Sequence, residues 1–173
     1  MKYVYHHMGL GDHFTCNGIV RHYYKQFGSI TLFCYKHFES NIKFMYRDLP
    51  NFYTIGLSSD NEVEEYIVKN NISNDLIKVG FDKSRALQHQ VETFDEGFYV
   101  AENIPFSVRF DEYYVERDMD REMDLYKTLN PNDEDFIFVH EEPDRGMFLD
   151  KSRIRQDLKI IGNNKRFLIF DYI

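Results

Sequence analysis

Four short apolar runs, residues 2–8, 30–35, 52–57 and 76–81, alternate with stretches whose apolar residues recur at helical spacing. That alternation constrains the fold more than any other feature. Strands that succeed one another through helices pair in parallel, because the connection must cross back over the sheet and its helix packs against a sheet face. Residues 30–35 are apolar almost without a break, the pattern of a strand buried on both faces. Residues 14–27 carry Phe14, Ile19, Val20, Tyr23, Tyr24 and Phe27 on one helical stripe, residues 41–48 read as a short helix ended by Pro50, and the Ser58-Ser59-Asp60-Asn61 segment caps an acidic helix running to Val68. The expected fold is α/β: a doubly wound, mostly parallel Rossmann-like sheet with helices on both faces and right-handed crossovers.

At 173 residues the chain suits one domain with a sizeable core. Residues 1–160 are therefore expected to form it, with 161–173 opening a second domain or a C-terminal extension. Past residue 83 the pattern is less regular, with helices predicted over 94–102 and 118–129, a strand over 136–139 and a charged loop over 140–146.

Gly9-Leu10-Gly11-Asp12-His13 follows the first apolar run and precedes the first helical stripe. A glycine-rich turn at the carboxyl end of a first strand is where α/β proteins bind ligands. Gly9 and Gly11 are expected to let a ligand approach the backbone. Asp12 is unusual there, since a carboxylate competes with phosphate for the helix terminus, and accepting a proton from a hydroxyl would explain it. His13 reads as a neighbouring ligand contact. Arg145, beside Gly146 after the last predicted strand, reads as a clamp for a phosphate or an acidic group. Each has a plainer alternative: Asp12 as the N-cap of the first helix, His13 as a structural residue, and Arg145 as half of a surface ion pair.

Other chemistries fit poorly. A dinucleotide fingerprint needs a third glycine where this chain has Phe14, and an acidic residue after the second strand where it has Tyr35, Lys36 and His37. No Gly-Lys-Ser/Thr follows the loop, which excludes a P-loop. His6 and His7, adjacent on a strand, point to opposite faces and cannot share an ion, so no metal or cofactor is expected. The net charge of -8 without a concentrated basic tract argues against nucleic acid. No run approaches the roughly 18 apolar residues of a spanning helix, and the expectation is a soluble, cytoplasmic protein. Cys16 and Cys34 lie among apolar neighbours and read as buried thiols.

These segments resemble the amino-terminal half of GT-B-fold glycosyltransferases, in particular heptosyltransferase-like proteins. The resemblance is carried by residues 7–13 with Asn17-Gly18 beyond, by Lys43-Phe44-Met45-Tyr46-Arg47-Asp48, by Phe98-Tyr99 through Ile104-Pro105-Phe106, and by residues 138–146. It implies two Rossmann-like domains facing a cleft, a nucleotide-sugar donor held mainly by the carboxyl-terminal one, and a glycan or other hydroxyl acceptor. It also implies Asp12 as the catalytic base, with Gly9, Gly11, His13, Asn17 and Arg145 as substrate contacts and no metal. The chain ends at what resembles the start of the second domain, and the apolar residues 167–173 are expected to mediate self-association. The alternative function is a non-catalytic α/β ligand-binding or interaction domain that needs a partner chain.

Overall fold

The computed structural model describes residues 1–142 and 146–162. Two compact units are present, Met1–Glu116 and Arg117–Ile173, so residues 117–160, expected within the first domain, fall in the second unit.

The first unit is α/β, built on a four-stranded parallel sheet. Its strands are β1 (Lys2–Tyr5), β2 (Ile30–Tyr35), β3 (Phe52–Leu57) and β4 (Leu76–Lys78), in the order β3-β2-β1-β4. The register runs Tyr3↔Thr31 and Tyr3↔Leu76 across β1, and Leu32↔Thr54 between β2 and β3. Residues 30–34 are all buried, as a central strand of a parallel sheet requires. Alternate strand residues feed separate apolar clusters: Val4, Ile30, Leu32 and Cys34 join one, while Tyr5 and Phe33 join the other with Val63 and Ile67. The arrangement is consistent with a Rossmann-like fold.

The single helix predicted over 14–27 is two, α1 (Leu10–Thr15) and α2 (Asn17–Phe27), broken at Cys16. The break has an identifiable cause. The Thr15 carbonyl, which a continuous helix would offer to the backbone four residues on, accepts instead from the Tyr99 hydroxyl at 2.8 Å and Arg109 Nη1 at 3.2 Å. Both donors come from the region past residue 83, where α6 (Glu96–Ala101) and α7 (Val108–Asp111) follow α5 (Phe81–Ala86). Gly18 admits this packing, since a Cβ there would stand 2.5 Å from the Val108 carbonyl oxygen.

The remaining connections are α3 (Glu39–Met45) and α4 (Asp60–Asn70). Ser59 caps α4 as predicted: its hydroxyl accepts from Glu62 N–H at 3.3 Å while the Glu62 carboxylate accepts from Ser58 N–H at 2.8 Å. A buried Arg21 ties α2 to the loop after α3 by two 2.8 Å bonds to Asp48, whose carboxyl it holds below the usual range.

The second unit holds α8 (Met119–Leu129), capped by Asp118, and a two-stranded parallel sheet of β5 (Phe136–Val139) and β6 (Lys159–Gly162). Asn130 organises the turn between α8 and β5: its side chain donates to the Glu134 carbonyl at 2.8 Å and accepts from Glu134 N–H at 3.3 Å. The strand predicted over 136–139 is present as β5, and its partner is β6. Arg145 itself lies outside the described residues, as do residues 163–173 and the self-association expected of 167–173. Among the described residues no helix is long and apolar enough to cross a membrane.

Candidate functional site at the carboxyl ends of β1 and β4

The strand order makes β1 the point where the chain reverses. From β1 it steps outward through β2 to β3, then returns to pair β4 on the other side of β1. In open parallel sheets, ligands bind outside the carboxyl ends of the strands at this reversal. Both strands end earlier than their apolar runs: the sequence predicts strands to Met8 and Phe81, and the ladder stops at Tyr5 and Lys78 with Val79 N–H donating to the Tyr5 carbonyl at 2.9 Å. The six residues released, His6 to Met8 and Val79 to Phe81, build the edge.

On the β4 side Gly80 has φ +84° and Phe81 φ +55°. Gly80 is required, because a Cβ there would meet the Phe98 ring at 2.5 Å. For Phe81 the left-handed conformation is strained, and such strain clusters at ligand clamps. It turns the Phe81 ring onto His7, with centroids 4.4 Å apart, and under Lys78 Nζ at 4.7 Å. Between His7, Phe81 and the polar segment that follows lies a cavity of about 260 Å³, lined further by Ser84, Arg85, Gln88, Glu92, Thr93 and Phe94.

On the β1 side the turn is His6 to Gly9, not Gly9 to His13. Gly9 is the N-cap, in extended conformation, and its carbonyl accepts from Asp12 N–H at 3.1 Å and His13 N–H at 3.2 Å. Gly11, Asp12 and His13 therefore belong to α1. Asp12 is the third residue of that helix, which sets aside the N-cap reading. Its carboxylate folds back over Gly9, where a Cβ would stand 2.8 Å from Oδ2, so the space that Gly9 leaves is taken by Asp12 rather than by a ligand. Gly11 opens to empty space. Partial burial raises the Asp12 carboxyl above its ordinary value, against the opposing pull of His7 and of Asp12's own N–H.

Comparison with protein-family models, with curated proteins and with solved structures gives no match. The site therefore rests on its own geometry.

Two expected contacts are corrected by burial. His13 is 0% exposed and packs edge-on against His6 at 4.4 Å, so it is no cleft residue. Asn17 is also 0% exposed, and its amide is spent within the protein: Oδ1 accepts from Tyr114 N–H at 3.1 Å and Arg21 Nε at 3.2 Å, and Nδ2 donates to the Tyr114 carbonyl at 3.3 Å. It braces the segment after α7 and touches no substrate. His6 and His7 do diverge, one inward and one to the cavity, and among the described residues no group of three His, Cys, Asp or Glu could hold a metal. Cys16 and Cys34 are buried free thiols, and burial pushes the Cys34 thiol up to about 12, which removes them as nucleophiles at neutral pH.

The sequence reading missed every cavity residue from 81 to 94. A signal was available. Gly80 at the end of the fourth apolar run, followed by Ser84, Arg85, Gln88, Glu92 and Thr93, repeats the strand-glycine-polar pattern that singled out the first loop.

Proposed function

We propose that the first unit is the acceptor side of a glycosyltransferase with GT-B architecture, using Asp12 as the general base. The observation that carries the reading is the Asp12 carboxyl itself: it stands beyond the carboxyl end of β1, half-buried, with its proton affinity raised by burial and with His7 within electrostatic reach. A carboxylate with raised proton affinity is a better base once ionised, which suits removal of a hydroxyl proton. In the step assigned to it, the acceptor oxygen bonds the anomeric carbon of a nucleotide-sugar as that carbon's bond to the diphosphate oxygen breaks. The acceptor proton passes to Asp12, and the nucleoside diphosphate leaves. The alternation of strand residues between two apolar clusters supports the doubly wound sheet, with helices on both faces, that this architecture needs.

The test is acceptor-dependent release of nucleoside diphosphate from a panel of nucleotide-sugars. Asp12→Asn should lower it by about 10²-fold or more, the usual contribution of a positioned base. Unchanged release in a folded variant would remove Asp12 as the base, and no release from the unsubstituted protein with any donor would leave a ligand-binding or interaction domain instead.

A further inference from the structure

The cavity at the strand reversal has a chemistry that narrows what it takes. Two aromatic rings, Phe81 and Phe94, line it, and Phe94 is 65% exposed although it is large and apolar. An aromatic ring left open beside polar groups, as Phe94 is, suits a ligand that is apolar on one face and hydrogen-bonding at its edge. The polar lining supplies both kinds of partner: Gln88 donates and accepts, as do the hydroxyls of Ser84 and Thr93. Its charges oppose one another. Arg85 lies 3.6 Å from Asp82, is 77% exposed at the side chain, and shares the cavity with the carboxylate of Glu92. An anionic ligand would meet a carboxylate and one solvated, already paired guanidinium, which is a weak anion site. At about 260 Å³ the cavity falls below the roughly 300 Å³ at which sites for drug-sized molecules begin, so it admits one ring.

We infer that this cavity binds a single uncharged sugar ring, its C–H face on Phe94 beside the Phe81 edge of the wall and its hydroxyls on Gln88, Glu92 and Arg85, and that this ring is the acceptor. The second clause rests on the reading of Asp12 as the base. His7 joins the two, because its ring packs on Phe81 in the cavity wall and it lies in the turn that leads into α1 and Asp12. A ring seated there lies on the same strand edge as Asp12.

Saturation-transfer NMR on the full chain decides the matter, with methyl α-glucoside, α-galactoside and α-mannoside as probes and glucuronic acid and glucose 6-phosphate as charged counterparts. At least one neutral glycoside should bind at millimolar concentration or below, each charged counterpart at least tenfold more weakly. Phe94→Ala and Gln88→Ala, both at exposed positions, should each weaken binding about tenfold, with circular dichroism confirming that they fold. Absence of binding by all three glycosides, tighter binding of the charged sugars, or binding unaffected in both folded variants overturns the proposal. Asp12→Asn should bind the glycoside as the unsubstituted chain does. If it binds but also transfers at full rate, the sugar pocket stands and the assignment of Asp12 as the base falls; if the unsubstituted chain binds the glycoside and transfers from no donor, the pocket stands and the glycosyltransferase reading falls. If transfer depends on Asp12 while only charged acceptors serve, the reading stands and the neutral pocket falls.

Discussion

The two sides of the segment from His6 to Asn17 are built from the same residue types and do opposite things. Facing inward, His6, His13 and Asn17 are 0% exposed and make contacts only with the protein. Facing outward, His7 and Asp12 keep solvent access, and His7 lines the cavity. The inner side is electrostatically costly: burial lowers the His6 imidazole to about 4 and His13 well below the usual histidine range, so both rings are neutral at pH 7. The outer side carries a carboxyl that burial makes more basic. A polar residue in a loop at the carboxyl edge of a sheet is thus no indication of ligand contact. Its direction decides whether it holds the fold or meets solvent.

The comparison breaks most visibly at Arg21, which joins Asn17, Asp48 and the Tyr114 carbonyl on the inner side. Arg21→Ala should destabilise the protein by about 3 to 5 kcal/mol in urea unfolding, because Asp48 loses both of its guanidinium bonds and the Asn17 oxygen one of its two donors. A loss under about 1 kcal/mol would mean that the network is ornamental.

Acid sharpens the contrast. For His6 the folded-state value lies below the unfolded one, so between about 4 and 6.5 the unfolded chain binds more protons. The stabilisation is fully present above pH 6.5 and falls on the order of 3 kcal/mol as the pH drops through that window. Folding free energies measured from pH 7 to 4 should show the decline, and His6→Phe should reduce its slope while His13, also kept neutral by burial, retains a share. An unchanged slope would place the titration elsewhere.

Smaller effects follow. Asn17→Ala should cost about 1 to 3 kcal/mol, the penalty for leaving the part-buried Tyr114 N–H without its acceptor and Arg21 Nε with the Tyr114 carbonyl alone, with no effect on the proposed sugar binding. On the outer side Asp12→Asn should leave the melting temperature unchanged or raise it, by up to about 1 kcal/mol of stability, since it removes a partly desolvated charge. A marked destabilisation there would make Asp12 structural and undo the distinction between the two sides.

Much of the fold was legible because it rests on periodicity. The Ser59 cap and the buried central strand at 30–35 followed from local pattern. The break at Cys16 did not, because its cause is Tyr99 and Arg109, more than eighty residues away. The same holds for the cavity. Its aromatic walls are ordinary apolar residues in the sequence, and only the left-handed backbone at Phe81 turns that ring outward against His7.

By itself, then, the sequence determined the element types and the parallel pairing, since hydrophobic periods of 2 and 3.6 and the crossover requirement act locally along the chain. It also determined that Asp12 would stand near the start of the first helix after β1, although the turn itself is His6 to Gly9. Tertiary structure decided where each strand ends, which of two adjacent histidines is buried, that β5 leaves the first sheet for β6, and that the second wall of the site comes from residues 81–94. Those outcomes depend on partners distant in sequence, and a side chain's direction at a strand end is set by what packs against it rather than by its own type.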